Sequence, residues 1–325
     1  MNPLQGDRAS LTEVTLTICK NAQQGAVTIG NFDGVHRGHQ SIVQQVRKLA
    51  DQVSGPAVVF TFDPPPARLL RPESAPASLM QIDRRTELLK KMGIDQVIVY
   101  PTTKELLDLG PELFFERIIV RSLKAKAIAE GENFRFGKDR RGDVSMLKRL
   151  CDEHDMIFSS LALQENDGGW ISSTRIRALI ETGDIAAANQ FLVEPYRIAG
   201  KIVQGAQRGR TLGFPTANLE SISVLCPPPG VYAGRVAGLA LAPEAIGLPV
   251  AIHIGPNPTF GESHLKLEAH IIGFNRDIYG DTLALELLAK LRDVNRFESK
   301  EQLLAQLRFD VEQTKQIEIS SRAAS

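Results

Sequence analysis

The chain has 325 residues, of which 43% are hydrophobic, so its length and composition favour two packed domains. Lysine and arginine together number 38, as do aspartate and glutamate, so the formal net charge is zero. A chain without net positive charge is not expected to bind nucleic acid or an anionic membrane through its overall charge. Cys19, Cys151 and Cys226 lack metal-ligand spacing, and the N-terminal residues 1–10 form no apolar signal segment. We therefore expect a cytoplasmic protein with reduced thiols. The sequence does not decide whether the chain forms a homo-oligomer.

The first predicted unit is a strand, a turn and a helix. The apolar run 26–29 predicts a buried strand, and the apolar spacing over 40–49 predicts an amphipathic helix. Between them, residues 30–39 read G-N-F-D-G-V-H-R-G-H. Such a turn lies at the carboxyl edge of a sheet, where free N–H groups and a helix dipole bind phosphate. His36 and His39 then donate to phosphate oxygens, as neutral rings or as cations; the alternative is a plain surface turn with two histidines.

Short buried strands then alternate with helices. We predict strands at 57–62, 96–100, 127–130 and 156–163, and helices at 83–92, 111–123 and 146–153. Asp83 is the expected N-cap of its helix, and Gly93 the residue that ends it. This alternation predicts an α/β domain with a doubly wound parallel sheet.

Three consecutive hydroxyl residues, 172–174, precede a predicted helix at 178–182. Arg175 and Arg177 follow them and are long enough to reach a triphosphate. The alternative is a helix cap with two arginines in solvent. Together with the earlier turn, however, this run is similar to the paired H-x-G-H and S/T-x-x-R motifs of the nucleotidylyltransferase superfamily.

From residue 196 the pattern changes to short β segments separated by glycine and proline. Segments at 199–203, 230–237, 250–254, 265–272 and 283–291 predict a small β-barrel. A helix at 299–314 follows, and the polar tail after Gln316 is expected to be loose. The change of pattern divides the chain into domains 1–192 and 193–325.

One run in the barrel region, residues 205–218, is rich in glycine and arginine and suits phosphate binding. Thr216 and Asn218 are two residues apart, so in an extended segment they offer two neutral oxygens to Mg²⁺ on one face. The alternative is a polar hairpin. Downstream, Glu268 and His270 share one face of a predicted strand, where a carboxylate is a candidate general base or simply a solvated residue.

In this order the motifs resemble the family of bifunctional bacterial riboflavin kinase/FMN adenylyltransferases, or FAD synthetases, over nearly the whole chain. The matching segments are 30–39, 60–66, 131–137, 172–177, 208–218, 229–233, 255–260, 268–270 and 277–280. The resemblance implies a nucleotidylyltransferase domain followed by a β-barrel riboflavin kinase domain with a terminal helix. It also implies two reactions: ATP phosphorylates riboflavin to FMN, and a second ATP adenylylates FMN to FAD with release of pyrophosphate.

The resemblance also assigns residue roles in both domains. In the first, His36 and His39 are catalytic, and the residues implied to bind ATP are Gly30, Phe32, Asp33, Gly34, Ser173, Thr174 and Arg177. In the second, Glu268 is the catalytic base, and the residues implied to bind phosphate are Gly205, Arg208 and Arg210. Thr216 and Asn218 are the implied ligands of Mg²⁺, which accompanies ATP. The implied flavin contacts are Phe62, Asn133 and Arg292, with FMN and FAD as substrate and product.

Several positions depart from the family pattern. Pro65 replaces a usual His or Arg, His253 replaces Asn, and Val294 replaces an acid. These changes leave open a flavin-binding or sensing protein that has lost one or both activities. A nucleotidylyltransferase with another phosphate substrate is the second alternative, although the barrel motif argues against it.

Overall fold

The computed structural model describes residues 20–162, 165–166, 169–205, 208–256 and 266–323. The expectations for Cys19, for the N-terminal segment and for most of the 255–260 motif lie outside these residues. The chain divides into two compact units, and each is described by itself. The first comprises Met1–Asn31, Ser41–Pro76 and Thr86–Leu163, and the second comprises Phe32–Gln40, Ala77–Arg85 and Gln164–Ser325.

A five-stranded parallel sheet in the order β3-β2-β1-β4-β7 forms the first unit. Its strands are β1 (Ala26–Ile29), β2 (Ala57–Asp63), β3 (Gln96–Pro101), β4 (Ala127–Gly131) and β7 (Ile157–Leu161). A small antiparallel pair joins β5 (Arg135–Phe136) to β6 (Gly142–Asp143). The residues of β1 and β4 are all buried, as expected of parallel strands covered on both faces, so the predicted α/β fold is confirmed.

Four helices of the N-terminal half were predicted and occur with shifted ends, and two short ones were not predicted. In chain order they are α1 (Arg37–Gln52), α2 (Pro66–Leu70), α3 (Ile82–Lys91), α4 (Lys104–Leu107), α5 (Pro111–Phe114) and α6 (Val144–Glu153), and the two that were not predicted are α2 and α4. The predicted N-cap Asp83 is wrong, because α3 starts one residue earlier and Asp83 lies in its first turn. Gly93 adopts a φ of 99° just after α3, as a helix-ending glycine does. A π-helical segment, Phe115–Ser122, continues α5.

The sheet order reverses at β1, which has β2 on one side and β4 on the other. β4 pairs with β1 only at Ala26 and Val27. Beyond that point the Glu130 carboxyl accepts the Ile29 N–H at 2.6 Å and the Thr28 hydroxyl at 3.2 Å. Burial raises the pKa of Glu130 well above its usual range. The strands therefore part at their carboxyl ends, the position where open α/β sheets bind ligands.

The second unit contains a closed antiparallel barrel in the order β10-β11-β14-β13-β12-β15. A short pair, β8 (Glu165–Asn166) and β9 (Gly169–Trp170), precedes it. The barrel strands are β10 (Arg197–Val203), β11 (Ala217–Glu220), β12 (Gly230–Leu239), β13 (Pro249–Gly255), β14 (Lys266–Ile271) and β15 (Thr282–Arg292). The predicted small barrel is confirmed. The sequence patterning did not identify β11, because it has only four residues within a glycine- and arginine-rich run.

The α-helices described after residue 164 are α7 (Ser173–Thr182), α8 (Ile185–Phe191), α9 (Arg208–Thr211) and α10 (Lys300–Ala323). Buried residues of α7 and α8 share one hydrophobic core with the barrel. Asn189 reinforces this packing, since its Nδ2 donates to the Leu287 carbonyl at 2.8 Å and its Oδ1 accepts the Tyr196 N–H at 2.8 Å. None of the helices among the described residues meets the length and apolarity needed to span a membrane.

The C-terminal helix α10 extends to Ala323, so the expectation of a loose tail after Gln316 is wrong. Its buried positions include Asp310, Thr314 and Glu318, which are 2%, 0% and 4% exposed and lie four residues apart. A polar sequence normally indicates a solvated segment. Here the polar groups face the inside of the unit, and the Thr314 hydroxyl donates to the Asp310 carbonyl at 2.8 Å.

Candidate active sites

The turn that follows β1 has an unusual backbone. Phe32, Gly34 and Val35 have φ angles of 48°, 85° and 38°, and this left-handed region is strained for Phe and Val. A Cβ on Gly34 would lie 3.0 Å from Leu79 Cδ1, so both the angle and the space favour glycine there. The turn places the centroid of the Phe32 ring 4.9 Å from the centroid of the His39 ring.

His36 and His39 form a stacked pair with ring centroids 3.5 Å apart and planes inclined by 16°. The His36 N–H donates to Nδ1 of His39 at 3.2 Å, and the His39 N–H donates to Nδ1 of His36 at 3.3 Å. Because each Nδ1 accepts a hydrogen bond, each neutral ring carries its proton on Nε2. The pair therefore offers two Nε2–H donors held in parallel.

The protonation state of this pair is set mainly by burial. Burial lowers the pKa of His36 to about 4. Burial, the charge of His36 and the charge of Arg85 lower the pKa of His39 well below its usual range. Both rings are thus neutral near pH 7, and of the two expected states, neutral donors and cations, the structure favours neutral donors.

Asp33 connects the turn to α7. Its carboxylate accepts the Leu79 N–H at 3.0 Å and receives Nη2 of Arg177 at 3.0 Å and Nη2 of Arg85 at 3.4 Å. Its main-chain carbonyl accepts the Ser173 hydroxyl at 2.8 Å. Asp33 is 8% exposed. An anion in this position holds the two arginines around it.

The hydroxyl run lies at the start of α7, five residues earlier than the predicted helix. Ser172 caps the helix by accepting the Arg175 N–H at 3.2 Å, and Thr174 is exposed in the first turn. The Arg175 guanidinium lies 4.4 Å from the centroid of the Phe191 ring. In this structure Arg175 therefore packs on Phe191 whereas Arg177 joins Asp33 as described, and the reach of Arg175 to a triphosphate stays a prediction.

Three further predicted residues belong to the first unit, at the carboxyl ends of its strands. The Gly30 N–H donates to the Phe60 carbonyl at 3.0 Å just after β1. Phe62, near the end of β2, is half-buried, and its ring lies edge-on to the Phe60 ring with the two centroids 5.4 Å apart. Asn133 is exposed two residues after β4. These are positions from which side chains contact a ligand at a sheet edge.

In the barrel, the register brings the predicted kinase residues into one row. Asn218 on β11 and His253 on β13 both lie directly opposite Glu268 on β14. Along β14, Leu267 and Ala269 are buried while Glu268 and His270 are half-buried, so the predicted alternation is confirmed. Asn218 and Glu268 therefore share one face of the barrel wall.

The loop before α9 approaches this row closely. A Cβ on Gly205 would lie 2.2 Å from Asn218 Nδ2, so a larger residue there would displace the Asn218 amide. Arg210 and Thr216 line a cavity of about 170 Å³ together with Asp277 and Tyr279 of the predicted segment 277–280. The side chain of Arg208 lies outside the described part of the structure.

His270 has a defined partner. Its Nδ1 lies 2.8 Å from the Pro215 carbonyl, which can only accept, so Nδ1 carries the proton and Nε2 is left as an acceptor. The Phe214 ring is edge-on to His270 at 5.4 Å. His270 thus anchors the segment that leads into Thr216.

Two residues of these sites had no sequence signal. Arg85 lies in a helix rich in charged residues, where the sequence alone indicates a solvent-exposed arginine. Asp310 lies far along the chain from Arg292, yet it accepts Nε of Arg292 at 3.1 Å and Nη2 at 2.8 Å. Arg292, expected to contact flavin, is therefore held against α10 by an ion pair.

Comparisons with known proteins agree with this architecture. The FAD synthetase family model matches residues 18–175, and the riboflavin kinase family model matches residues 192–318. A bifunctional riboflavin kinase/FMN adenylyltransferase of Escherichia coli (strain K12) is 35% identical over 89% of this chain and 91% of its own. The bifunctional riboflavin kinase/FMN adenylyltransferase of Listeria monocytogenes is 33% identical over 89% of this chain and 91% of its own.

A solved structure from Streptococcus pneumoniae, described as a macrolide-efflux protein, has the same fold. It aligns with a TM-score of 0.81 and 32% identity over 90% of this chain and 94% of its own. The two family models in succession, together with relatives matched over about nine-tenths of their length, establish the relationship. The chain belongs to the family of bifunctional riboflavin kinase/FMN adenylyltransferases.

Proposed function

We propose that this chain phosphorylates riboflavin to FMN and then adenylylates FMN to FAD, each time with ATP. The observation that carries the proposal is that one chain holds two clusters of polar side chains whose chemistry suits phosphate. One is the stacked His36–His39 pair joined to Arg177 through Asp33, and the other is the Asn218–Glu268 row. The proposed division of labour follows the domains 1–192 and 193–325.

For adenylyl transfer, the nucleophile is the FMN phosphate, which is already ionised. An oxygen of this phosphate forms a bond to the α-phosphorus of ATP, and the bond from that phosphorus to the bridging oxygen breaks to release pyrophosphate. The two Nε2–H groups and Arg177 are suited to stabilise the charge on the leaving phosphates. Gly30 and Thr174 are proposed ATP contacts, and Phe62 and Asn133 are proposed FMN contacts. No covalent enzyme intermediate is needed.

For phosphorylation of riboflavin, the nucleophile is a ribityl hydroxyl, which must lose a proton. Glu268 is proposed to take it while the hydroxyl oxygen attacks the γ-phosphorus and ADP leaves. The neutral oxygens of Thr216 and Asn218 fit Mg²⁺, which takes its other ligands from phosphates and water. Bound Mg²⁺ would neutralise phosphate charge. Gly205, Arg208 and Arg210 are the proposed phosphate contacts, and Arg292 the proposed flavin contact.

The proposed small-molecule partners are riboflavin, FMN and ATP, and the proposed location is the cytoplasm. Cys151 and Cys226 are free thiols, which is typical of reducing compartments. The competing proposal is a flavin sensor without activity. Incubation with riboflavin, ATP and Mg²⁺ followed by chromatography separates the two: we expect FMN and then FAD, whereas unchanged riboflavin would contradict the proposed enzyme.

The domain boundary gives a testable prediction. A fragment that begins at Ser172 retains α7 and α8, whereas one that begins at Glu194 loses the buried residues Ile185 and Phe191 from the barrel's core. Each buried side chain of this size contributes about 1.5–3 kcal/mol. We therefore expect urea to unfold the shorter fragment at clearly lower concentration, while both phosphorylate riboflavin and neither makes FAD.

Both fragments lack the segments 32–40 and 77–85, so the comparison isolates the two helices. Equal unfolding midpoints would mean that α7 and α8 do not stabilise the barrel. FAD formation by either fragment would refute the proposed division of labour.

A further inference from the structure

Arg85 lies in the nucleotidyl-transfer site although it belongs to neither motif that predicted the site. It is in the first turn of α3, and it is only 2% exposed. Its Nη2 donates to Asp33 Oδ1 and to the Met80 carbonyl, both at 3.4 Å. Burying a guanidinium is costly unless ion pairs and hydrogen bonds replace its water. Its burial beside Asp33 therefore calls for a role in this site.

Asp33 links Arg85 to the groups proposed to hold phosphate. The same carboxylate accepts Nη2 of Arg177 at 3.0 Å, and the Asp33 carbonyl accepts the Ser173 hydroxyl. Two arginines on one carboxylate leave a net positive charge, which suits a triphosphate. If Arg85 were lost, the carboxylate would be free to draw Arg177 closer and neutralise it.

Arg85 also acts on His39 through space. His39 faces the His36 ring and the Phe32 ring from its own turn and the Arg85 charge from α3, while Arg177 of α7 is paired with Asp33. Protonation of Nδ1 of His39 would break the hydrogen bond from the His36 N–H. The positive charge of Arg85 opposes this protonation, so it helps to keep the hydrogen bond between the His36 N–H and Nδ1 of His39.

We propose that Arg85 is a positioning residue for adenylyl transfer, which fixes the histidine turn and Arg177 in one geometry through Asp33. The proposal rests on the proposed FMN adenylylation. Arg85 acts through Asp33 and His39, and the ATP phosphates are contacted by the histidines and Arg177.

The test compares Arg85→Gln with Arg84→Gln. Arg84 is the preceding residue of α3 and pairs with Glu194 instead. We expect Arg85→Gln to lower kcat for FAD formation from FMN by about tenfold or more, as loss of a charged hydrogen bond does. The pKa of His39 rises when the Arg85 charge is removed, so the acid limb of the pH profile moves to higher pH. Arg84→Gln should keep the parent kcat and profile.

Arg85→Lys separates charge from geometry. Lysine keeps the positive charge but lacks the planar fork, so kcat should fall while the acid limb stays where it is in the parent. Riboflavin phosphorylation in the same preparations reports on folding. If Arg85→Gln loses riboflavin phosphorylation as well, it is misfolded, and the kcat and pH profile of Arg85→Lys then test the proposal.

Parent kcat in Arg85→Lys, or parent kcat and pH profile in a folded Arg85→Gln, would overturn the proposal. Equal losses in Arg84→Gln would overturn it too, since the effect would then belong to the helix in general. A parent protein that makes no FAD from FMN would refute the proposed function instead.

Discussion

Replacing both His36 and His39 by Asn should reduce FAD formation from FMN and ATP by at least about a hundredfold. Each Nε2–H aimed at developing phosphate charge is worth about 2–4 kcal/mol, and Asn is too short to present a donor at that point. The Asn carbonyl oxygen can still accept the backbone N–H that each Nδ1 accepts now. The rate of FAD formation, followed by chromatography, gives the result.

Asn is a better choice than Ala because the turn is not solvent-facing. His36 is 6% exposed, and Ala would remove the ring Nδ1 that shares the His39 N–H with the His36 carbonyl, which accepts it at 2.8 Å. His154→Asn serves as the matched control, since His154 packs against Phe115 far from the turn in sequence. Riboflavin phosphorylation should survive in both proteins. Normal FAD formation by the double variant would show that the site is assigned to the wrong residues.

Glu268→Gln should reduce riboflavin phosphorylation by about 10²–10⁴-fold, the usual effect of losing a general base. Gln keeps the shape and some hydrogen bonding opposite Asn218 and His253 but cannot accept the hydroxyl proton. Because FMN carries an ionised phosphate, the same protein should convert added FMN to FAD at nearly the parent rate. One preparation assayed with each flavin gives both rates.

His270 is the competing base, since its Nε2 is available as an acceptor. His270→Asn keeps a donor that can reach the Pro215 carbonyl while removing the basic nitrogen. We expect this variant to retain far more riboflavin kinase activity than Glu268→Gln. The reverse order would move the base role to His270, and equal losses of both activities in Glu268→Gln would make Glu268 a structural residue.

The sequence predicted the elements whose local pattern is strong. The continuous apolar runs of β1 and β2 required a sheet covered on both faces, and the alternation along β14 put Glu268 and His270 together. The buried polar face of α10 could not be predicted in this way. Hydropathy treats Asp310 and Thr314 as solvated residues, and only the fold supplies Arg292 as the partner of Asp310.

The sites were predicted to a similar extent. Glycine and histidine spacing indicated the turn, because those residue types have few other reasons to recur there. The neutral state of the histidines depends on burial and on reciprocal backbone hydrogen bonds, which spacing does not encode. Arg85 reaches Asp33 across 52 positions of sequence, so no local pattern could join them.

The most direct test of two separate sites in one chain is to mix the two variants. The histidine double variant should turn riboflavin into FMN and stop, and Glu268→Gln should use added FMN but not riboflavin. A mixture of the two, given riboflavin, ATP and Mg²⁺, should therefore form FAD that neither protein forms alone. A mixture that forms no FAD, although each protein keeps its own single activity, would contradict two independent sites connected by released FMN.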